Sequence, residues 1–426
     1  MDNGTYASRV VWILTISTAL ALFGDTTMYA VLPSQYSVLG LLSLHVGWLL
    51  SINRLVRLPL NIVSGWLSDR LGPKLPYILG VALGAFSTVG YGLCNSFWPF
   101  MALRALWGVA WALLVVAAFR MILDVTTEQT RGRLTGFYAS GSFFGGALGA
   151  ILGGYLVDLL GFYVAMLLLG AMSSLGFMIA LALPQPQPST PHAYPGEAQA
   201  AGLNMRLESW LASLRQLDLR MLAISSLNFS HRFFFAGVFY ATFGLYLRNN
   251  IGEQMNLGSL IIGIGSLTAV LLFIRNVLTV ITAPGLGYLS DRLADRSLVV
   301  LLGEILGAAG LGCFALGTSP GLLAAGVLFT ATAYGIIPPL VVSWMGDLSR
   351  AEGRGLVVGI YQTMGDIGSG LGPLAAYGVL ELMDIRLVYA ISAAFMALTI
   401  PVILGLRRNR GVGTFQHVSG ETKGGL

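Results

Sequence analysis

The sequence predicts an all-α polytopic membrane protein with twelve transmembrane helices in two pseudo-symmetric six-helix bundles. Three observations predict this class: the composition, the number of long apolar segments, and a repeat that relates the two halves of the chain. Of the 426 residues, 55% are hydrophobic and only 10% are charged. Soluble domains carry about 25% charged residues. This chain therefore lacks the polar surface that water requires, and we expect the lipid bilayer to be its solvent.

Twelve apolar segments are long enough to cross a bilayer, because a spanning helix needs about 20 mostly apolar residues. Glycine is frequent in these segments, which is typical of membrane helices that pack closely together. We number the segments as spans 1 to 12. They cover residues 10–32, 43–66, 76–94, 98–123, 134–157, 162–183, 220–246, 258–288, 298–316, 320–344, 355–380 and 385–406.

The basic residues predict the orientation of the spans. With the N-terminus inside, most Lys and Arg lie in inner loops and tails, whereas the outer loops hold only Arg248 and Arg386. Inner loops of membrane proteins carry this excess of positive charge. We therefore expect an integral protein of the plasma membrane with both termini in the cytoplasm. The net charge of +5 reflects this topology, and we expect no nucleic-acid partner.

A repeat divides the chain into two similar halves. The charged turn GWLSDRLGPK at residues 65–74 returns as GYLSDRLADR at residues 287–296, and Asp69 and Asp291 are 222 residues apart. A second motif, Asp-x6-Arg-Gly-x3-Gly, begins at Asp124 and again at Asp347, with an offset of 223. Two motifs with nearly the same offset predict two six-helix bundles, at residues 1–183 and 220–406, followed by a cytoplasmic tail at 407–426.

Residues 184–219 form the predicted cytoplasmic linker between the bundles. Its first part is rich in proline, which favours an extended conformation. Apolar residues then recur at helical spacing at Leu203, Leu207, Trp210, Leu214 and Leu217. This pattern predicts an amphipathic helix on the inner membrane surface. A linker helix without membrane contact fits the same pattern equally well.

Three motifs make the chain similar to the major facilitator superfamily over essentially its whole length. The loop motif between helices two and three is matched by Gly65, Leu67, Ser68, Asp69, Arg70, Gly72 and Lys74. The segment Arg104-x-x-Trp107-Gly108 resembles a motif of proton-driven members. The glycines at 136, 145, 149, 153 and 154 in span 5 resemble the motif that is typical of drug/proton antiporters.

The chain departs from these family motifs at two positions. Ala150 stands where the antiporter motif has proline, and the Gly-Pro pair occurs in the second half instead, as Gly372-Pro373. Pro73 stands where the loop motif usually has a basic residue. We assign a role in close helix packing to Gly145, Gly149, Gly153, Gly368, Gly372 and Pro373.

The resemblance implies a secondary active transporter that works by alternating access. The antiporter-like motif favours proton-coupled export of a small amphiphilic or drug-like compound. The alternative is proton-coupled transport of an anionic metabolite or lipid, which the excess of intramembrane arginine favours. In either case the expected partners are a small-molecule substrate, protons and the lipid bilayer, and we expect a monomer without cofactors.

Charged residues inside the spans are the candidate coupling and cavity residues, because charge within a bilayer is costly and usually functional. Asp25 and Arg104 lie at compatible depths in their predicted spans, so these two residues can pair. The same holds for Asp366 with Arg54 or Arg57. A carboxylate whose arginine can be exchanged for a proton is the minimum device for coupling. A static structural ion pair is the open alternative. The full set is Asp25, Arg54, Arg57, Arg104, Arg232, Arg275 and Asp366.

The two charged turns are candidate gating latches. Asp69 lies at the C-terminal end of its helix, where the helix dipole disfavours a carboxylate, so it requires a positive partner. We expect that partner at the start of span 11, beside Arg354. A turn that only anchors the topology is the alternative. The predicted latch consists of Gly65, Asp69, Arg70, Gly72, Lys74, Asp291, Arg292 and Arg354.

Enzyme motifs are absent from the sequence. It contains no HExxH, no GxSxG and no GxxxxGK[ST] segment. The two cysteines, Cys94 and Cys313, lie at the ends of apolar spans with no motif around them, so we interpret them as packing residues. We therefore expect no enzymatic activity, no metal site and no use of ATP.

Overall fold

A computed structural model of the chain describes residues 3–184, 219–257, 260–293, 296–317, 319–348 and 354–408, and these are almost entirely helical. The predicted linker helix and most of the tail lie outside the described residues. The elements are α1 (Asn3–Gln35), α2 (Ser43–Leu55), α3 (Arg57–Leu71), α4 (Lys74–Tyr91), α5 (Phe97–Val125), α6 (Glu128–Leu160), α7 (Phe162–Leu181), α8 (Leu219–His231), a π-helix (Arg232–Phe239), α9 (Tyr240–Ile251), β1 (Gln254–Leu257), β2 (Leu260–Gly263), α10 (Ile264–Leu293), α11 (Arg296–Leu316), α12 (Pro320–Leu348), α13 (Arg354–Leu380), α14 (Ile385–Ala397) and α15 (Thr399–Arg408).

Two predicted spans are broken into pairs of helices, and a proline explains each break. A proline has no N–H to donate to the carbonyl four residues earlier, and its ring crowds that carbonyl. Pro59 stands four residues after Leu55, where α2 ends, and Pro401 stands four residues after Ala397, where α14 ends. Spans 2 and 12 therefore consist of α2 with α3 and of α14 with α15.

The region from span 7 to span 8 also differs from the simple prediction. Span 7 contains the π-helix Arg232–Phe239, a wider helix that often occurs at functional sites. After α9 the chain forms an antiparallel hairpin in which Gln254 pairs with Gly263. Span 8 was predicted to begin at residue 258, but the helix begins at Ile264 because β2 occupies the preceding residues.

The surface of the helices agrees with a bilayer environment. Eight helices in the described part of the chain are long and apolar enough to cross a membrane. Large apolar side chains are widely exposed; for example, Trp98 is 75% exposed and Phe86 is 63% exposed. Soluble proteins rarely expose such surface over large contiguous areas. The chain is an integral membrane protein.

The chain forms two compact units. The first comprises Met1–Leu203, Ala236–Phe273 and Ser369–Leu382. Within it α1 packs on α6 and α7, α4 packs on α5 and α7, and α5 contacts α2 and α3. The hydroxyl of Tyr77 lies in this core, 2.6 Å from Ser17 Oγ and 2.9 Å from Thr18 Oγ1. This cluster ties α4 to α1.

The second unit comprises Asn204–Phe235, Ile274–Gly368 and Met383–Leu426. Its core is built around α11, which packs on both α12 and α14. Phe314 of α11 contacts Tyr389 of α14, with ring centroids 5.4 Å apart. The α11–α14 contact therefore extends to the C-terminal end of α11.

Candidate functional site

The first unit contains a buried ion pair between Asp25 of α1 and Arg104 of α5. Arg104 Nη1 donates to Asp25 Oδ1 at 2.6 Å, and the two residues are 0% and 6% exposed. This is the contact that the depth of the two residues predicts. A buried carboxylate is stable when a positive charge and hydrogen-bond donors compensate its lost hydration. Arg104 supplies such a positive charge next to Asp25.

A glycine stripe on α6 sets the position of α1, and so of Asp25. Gly145, Gly149 and Gly153 lie against Ala19, Phe23 and Thr27 of α1, respectively. A methyl group on Gly149 would stand only 2.6 Å from Phe23 Cα, so no larger residue fits this contact. The packing role predicted for these glycines thus places α1 tightly against α6 on either side of Asp25.

Asn53 of α2 completes the surroundings of Asp25, and the sequence analysis missed it. Its Nδ2 donates to Asp25 Oδ1 at 2.8 Å, while its Oδ1 accepts from Arg57 Nη2 at 2.5 Å. Asn53 thereby connects the carboxylate to a second guanidinium group. The available signal was the helical spacing, because Asn53 lies four residues before Arg57 and on the same face of the helix.

Gly108 explains how Asn53 reaches this position. A methyl group on Gly108 would lie 2.5 Å from the carbonyl oxygen of Asn53, so only glycine allows α2 to approach α5 this closely. Gly108 comes one turn after Arg104 in the motif Arg-x-x-Trp-Gly. One short motif therefore supplies both the cation for Asp25 and the space for its amide donor.

Two hydrogen-bond donors of this cluster remain available. Arg104 uses Nε to bond the carbonyl oxygen of Leu49 at 3.0 Å and Nη1 to bond Asp25. Neither Arg104 Nη2 nor Arg57 Nε, both buried, has a hydrogen-bond partner among the described residues. Each can bond an oxygen atom of water or of a bound molecule.

Aromatic rings face the arginines of the cluster. The guanidinium carbons of Arg54 and Arg104 lie 5.3 and 5.4 Å from the ring centre of Tyr29, and that of Arg57 lies 5.3 Å from Trp111. Arg54 Nε also donates to the hydroxyl of Tyr29 at 3.2 Å. Such rings stabilise a cation through their electron-rich faces.

The second unit has its own buried cation and aromatic cluster. Arg275 of α10 is 0% exposed, and its guanidinium carbon lies 4.8 Å from the ring centre of Tyr334 and 5.8 Å from that of Phe235. His231 stacks on Tyr334 with centroids 5.1 Å apart. Neither ring nitrogen of His231 has a hydrogen-bond partner within the described residues.

The remaining predicted cavity residues, Arg232 and Asp366, also lie in the second unit. Arg232 begins the π-helix and lies beside Gly365, where a methyl group would be 3.1 Å from its Nε. Gly368 meets the backbone of Phe229, so α13 packs closely on span 7. Asp366 lies between these two glycines. Its pairing with Arg54 or Arg57 stays a prediction.

At the turn that follows α3, the structure gives Asp69 a partner within the first unit. Asp69 forms an ion pair with Arg120 of α5, whose Nε also lies 3.8 Å from Asp124 Oδ2. The sequence analysis had missed this pairing because α3 and α5 bring the two residues together only in three dimensions. The pair is exposed, and exposed pairs contribute little to stability.

The rest of the predicted latch is only partly described. Gly72 has φ +76°, which favours glycine, and it ends α3 directly before Pro73 and Lys74. The guanidinium carbon of Arg70 lies 4.6 Å from the ring centre of Trp66 in the helix that contains Gly65. Arg292 is exposed at the end of α10. The side chains of Asp291 and Arg354 lie outside the described residues, so the contact between the halves stays a prediction.

At the opposite end of the first unit, Asp158 of α6 caps the start of α10. Its Oδ2 accepts from the backbone N–H of Ser266 at 2.7 Å and from the Ser266 hydroxyl at 2.6 Å, and its Oδ1 accepts from the N–H of Gly265 at 3.2 Å. The first N–H groups of a helix have no internal partner and favour a negative charge. Asp158 therefore fixes span 5 to span 8. The sequence analysis did not identify it.

Two further contacts join the outer ends of helices in the first unit. Arg248 of α9 donates to the carbonyl oxygen of Ser34 at 2.5 Å and to the hydroxyl of Ser37 at 2.8 Å. A methyl group on Gly47 of α2 would lie 3.0 Å from the carbonyl oxygen of Pro373 in α13, immediately after Gly372. Spans 2 and 11 therefore touch. Together with Asp158, these contacts join spans 1, 2 and 5 to spans 7, 8 and 11 at this end of the first unit.

No metal centre is evident in the described ranges: no three His, Cys, Asp or Glu side chains there gather closely enough to hold an ion. The chemistry of the site therefore rests on its carboxylates, arginines, amides and rings. An ion pair can exchange its arginine for a proton, whereas the arrangement offers no activated nucleophile.

Comparison with known proteins gives a consistent result. The model of the Major Facilitator Superfamily matches residues 14–279 and 233–420. The chain is 34% identical over 86 residues to the vesicular acetylcholine transporter unc-17 of Caenorhabditis elegans, which covers 20% of this chain and 16% of that protein. It is 23% identical over 180 residues to the quinolone resistance protein NorA of Staphylococcus aureus, covering 41% of this chain and 45% of that protein. The matches thus span less than half the length of these curated relatives.

The solved structures extend the similarity to nearly the whole chain. The crystal structure of the nucleoside transporter NupG superposes with a TM-score of 0.71 at 15% identity, covering 94% of this chain and 99% of that chain. At this identity the likeness concerns the fold alone.

Proposed function

Because the chain belongs to the Major Facilitator Superfamily, we propose that it is a proton-coupled secondary transporter that exports a small amphiphilic or drug-like compound by alternating access. The family makes the chain a transporter and not an enzyme. The single observation that carries the coupling proposal is the buried contact of Asp25 with Arg104 and Asn53.

The proton would act at Asp25 through competition with Arg104. When water reaches the carboxylate from one side of the membrane, protonation removes the charge that holds Arg104 in place. Loss of water access and renewed contact with Arg104 then favour release of the proton. A difference of about 1.4 kcal/mol between two states changes the protonation equilibrium tenfold, so a modest change in pairing is sufficient for coupling.

The contacts at the outer ends of the helices support alternating access. Opening of the outer side would require α10 to leave Asp158 and α9 to leave Ser34 and Ser37. Backbone hydrogen bonds and a capping carboxylate can be broken and re-formed without damage to either helix. We infer the complete architecture from this family: twelve transmembrane helices in two bundles, at residues 1–183 and 220–406, with both termini in the cytoplasm and the protein in the plasma membrane.

The proposed substrate class rests on two features. The glycine stripe of α6 resembles the antiporter motif, and the quinolone resistance protein NorA is among the relatives. An apolar, aromatic environment around the cluster, provided by Tyr29 and Trp111, suits an amphiphilic molecule.

One observation favours the second candidate, proton-coupled transport of an anionic metabolite or lipid. Two guanidinium groups, those of Arg57 and Arg104, share the single carboxylate of Asp25 through Asn53, and each retains a buried donor. The group has a net positive charge, which a carboxylate or phosphate of a substrate would neutralise.

Purified protein in proteoliposomes with an imposed pH difference tests both candidates. Fluorescent lipophilic cations and radiolabelled organic anions are offered separately, and uptake is measured with and without a protonophore. We expect protonophore-sensitive movement of the cations, whereas movement of anions alone would favour the second candidate. Absence of any proton movement with either class would contradict coupling.

A further inference from the structure

Glu304 is a buried carboxyl group that the proposed coupling at Asp25 does not use. It lies in α11, in the second unit, and is 0% exposed. Its only polar contact among the described residues is with Thr399, whose Oγ1 lies 3.0 Å from Glu304 Oε2. Its other oxygen, Oε1, has no hydrogen-bond partner within the described ranges. Among the residues that the structure describes, Glu304 therefore has no cation of the kind that Arg104 provides for Asp25.

A count of hydrogen atoms assigns the donor in this contact. A threonine hydroxyl has one hydrogen atom and can donate once. Thr399 Oγ1 can donate to Glu304 Oε2 at 3.0 Å or to the carbonyl oxygen of Met396 at 2.6 Å, and the shorter distance favours the bond to Met396. The contact between Thr399 and Glu304 is then a hydrogen bond only if Glu304 supplies the hydrogen. A carboxylic acid has such a hydrogen, and a carboxylate does not.

Other charged and titratable groups lie on the elements that pack against α11. The element α11 packs on α12, α14 and α15, and Gly307, one turn after Glu304, lies against Phe235 of the π-helix. Tyr334 stacks on His231, and Tyr389 contacts Phe314, ten residues after Glu304. The side chains of Arg296 and Asp347 are not described. The described charged or titratable groups on the surrounding elements are His231, Arg232, Tyr334, Arg386, Tyr389 and Arg407, whereas the hydrogen bond described for Glu304 is with Thr399.

We propose that Glu304 is a second proton-binding site of this protein, and that it is protonated in the conformation described. An ionised carboxylate with no cation and a single hydroxyl neighbour, inside a membrane-spanning helix, would carry a large desolvation cost. The protonated form avoids that cost and forms the bond to Thr399. Nothing in the coupling scheme for Asp25 requires this site.

Proton release at Glu304 would change the hydrogen bonding at the break in span 12. Deprotonation transfers the proton to water and leaves the carboxylate facing Thr399 Oγ1, so two acceptors would meet. The contact survives only if Thr399 turns its hydrogen from the Met396 carbonyl to Glu304. Met396 is next to the last residue of α14, and α15 begins at Thr399. Proton occupancy is therefore connected to the junction between α14 and α15.

Infrared difference spectroscopy of the protein in lipid nanodiscs tests the protonation state directly. At about pH 7 an exposed glutamate is ionised, because its pKa is about 4.3. We expect the wild-type spectrum minus that of Glu304→Gln to contain the C=O band of a protonated carboxylic acid, with a shift in D₂O. The band is expected to remain in Asp25→Asn. Carboxylate bands in place of the acid band in the Glu304→Gln difference would overturn the proposal.

A second variant keeps the test decisive if Glu304→Gln does not fold. Thr399→Val preserves the shape of the side chain but removes the acceptor for the Glu304 proton. We expect the acid band to persist and to move to higher frequency, because the hydrogen bond is lost. A spectrum with no acid band in wild type, or with a band that Thr399→Val leaves unmoved, contradicts the assignment.

Discussion

Asp25 and Glu304 are two buried carboxyl groups in spanning helices, yet their surroundings differ in kind. Asp25 accepts from the guanidinium of Arg104 and the amide of Asn53, whereas within the described part of the chain Glu304 has only the hydroxyl of Thr399. The first environment compensates a negative charge and the second does not. The comparison teaches that burial alone does not decide the charge of a carboxyl group; the donors that reach it do.

The difference also separates two functional roles. A carboxylate held by an arginine can alternate between that partner and a proton when the helices move, which is what coupling requires. A carboxylic acid without a cation changes its protonation only if water reaches it. Asp25 is therefore the candidate for the transported proton, and Glu304 is a site whose occupancy depends on the conformation around span 12.

Removal of the cation makes Asp25 resemble Glu304 and has the largest expected effect. Arg104→Leu leaves a buried carboxylate without its positive partner, and such a loss costs about 3–5 kcal/mol of stability. Thermal unfolding in detergent measures the change.

The double variant with Asp25→Asn should recover part of the loss, because the uncompensated charge is gone. Glu304→Gln, which replaces a neutral acid by a neutral amide, serves as the control and should change stability little. Equal losses in the single and double variants would contradict the account.

The variant Gly108→Ala displaces Asn53 from Asp25 without any change of charge, so it tests the contribution of the amide alone. In Gly108→Ala the new methyl group would meet the carbonyl oxygen of Asn53 at 2.5 Å, so α2 and α5 must separate. Overpacking of this kind costs about 1–3 kcal/mol. We expect lower stability and reduced proton-driven transport.

Gly84→Ala is the matched control for Gly108→Ala, because no atom lies within 4 Å of the position of its added methyl group. It should leave both stability and transport near the wild-type values. If Gly108→Ala behaves like Gly84→Ala, the close approach of α2 to α5 does not position Asn53 as described.

A third carboxylate, Asp158, has the smallest expected effect because backbone N–H groups and not a cation hold it. Asn keeps one acceptor oxygen but loses the negative charge, whose interaction with a helix N-terminus is worth about 0.3–1 kcal/mol. Asp158→Asn should therefore increase the population in which the outer ends of spans 5 and 8 separate. Distances between spin labels on the outer ends of α6 and α10 measure this population.

Asp384→Asn provides the control for Asp158→Asn, since Asp384 caps α14 by accepting from the N–H of Arg386 at 2.7 Å. It removes the negative charge of a cap elsewhere and should not alter the distances between α6 and α10. An unchanged distance distribution in Asp158→Asn would show that Asp158 does not hold the ends of α6 and α10 together.

The sequence was sufficient to predict much of the fold and the central ion pair. Hydropathy located the membrane-spanning helices, and the cost of charge in a bilayer indicated Asp25 and Arg104. The breaks in spans 2 and 12 could have been predicted from Pro59 and Pro401, because a proline disrupts the helix locally, at the residues just before it. The hairpin before α10 was not predicted because its second strand, Leu260–Gly263, is as apolar as the span that follows.

Contacts between distant segments explain what the sequence did not reveal. Asn53, Arg120 and Asp158 acquire their partners only through the packing of α2 and α3 on α5 and of α6 on α10. Glu304 belongs to no motif, and its contact with Thr399 is visible only in three dimensions. The count of twelve spans and the latch between Asp69 and the second half stay predictions.

The most direct test of the central claim is substrate accumulation by Asp25→Asn in proteoliposomes under an imposed pH difference. Asn keeps the size of the side chain but mimics a permanently protonated carboxyl group, so it cannot pick up and release a proton. We expect substrate binding and exchange to remain while proton-driven accumulation disappears, and Asp384→Asn to accumulate substrate as the wild type does. Accumulation by Asp25→Asn against a gradient would show that Asp25 is not the proton carrier.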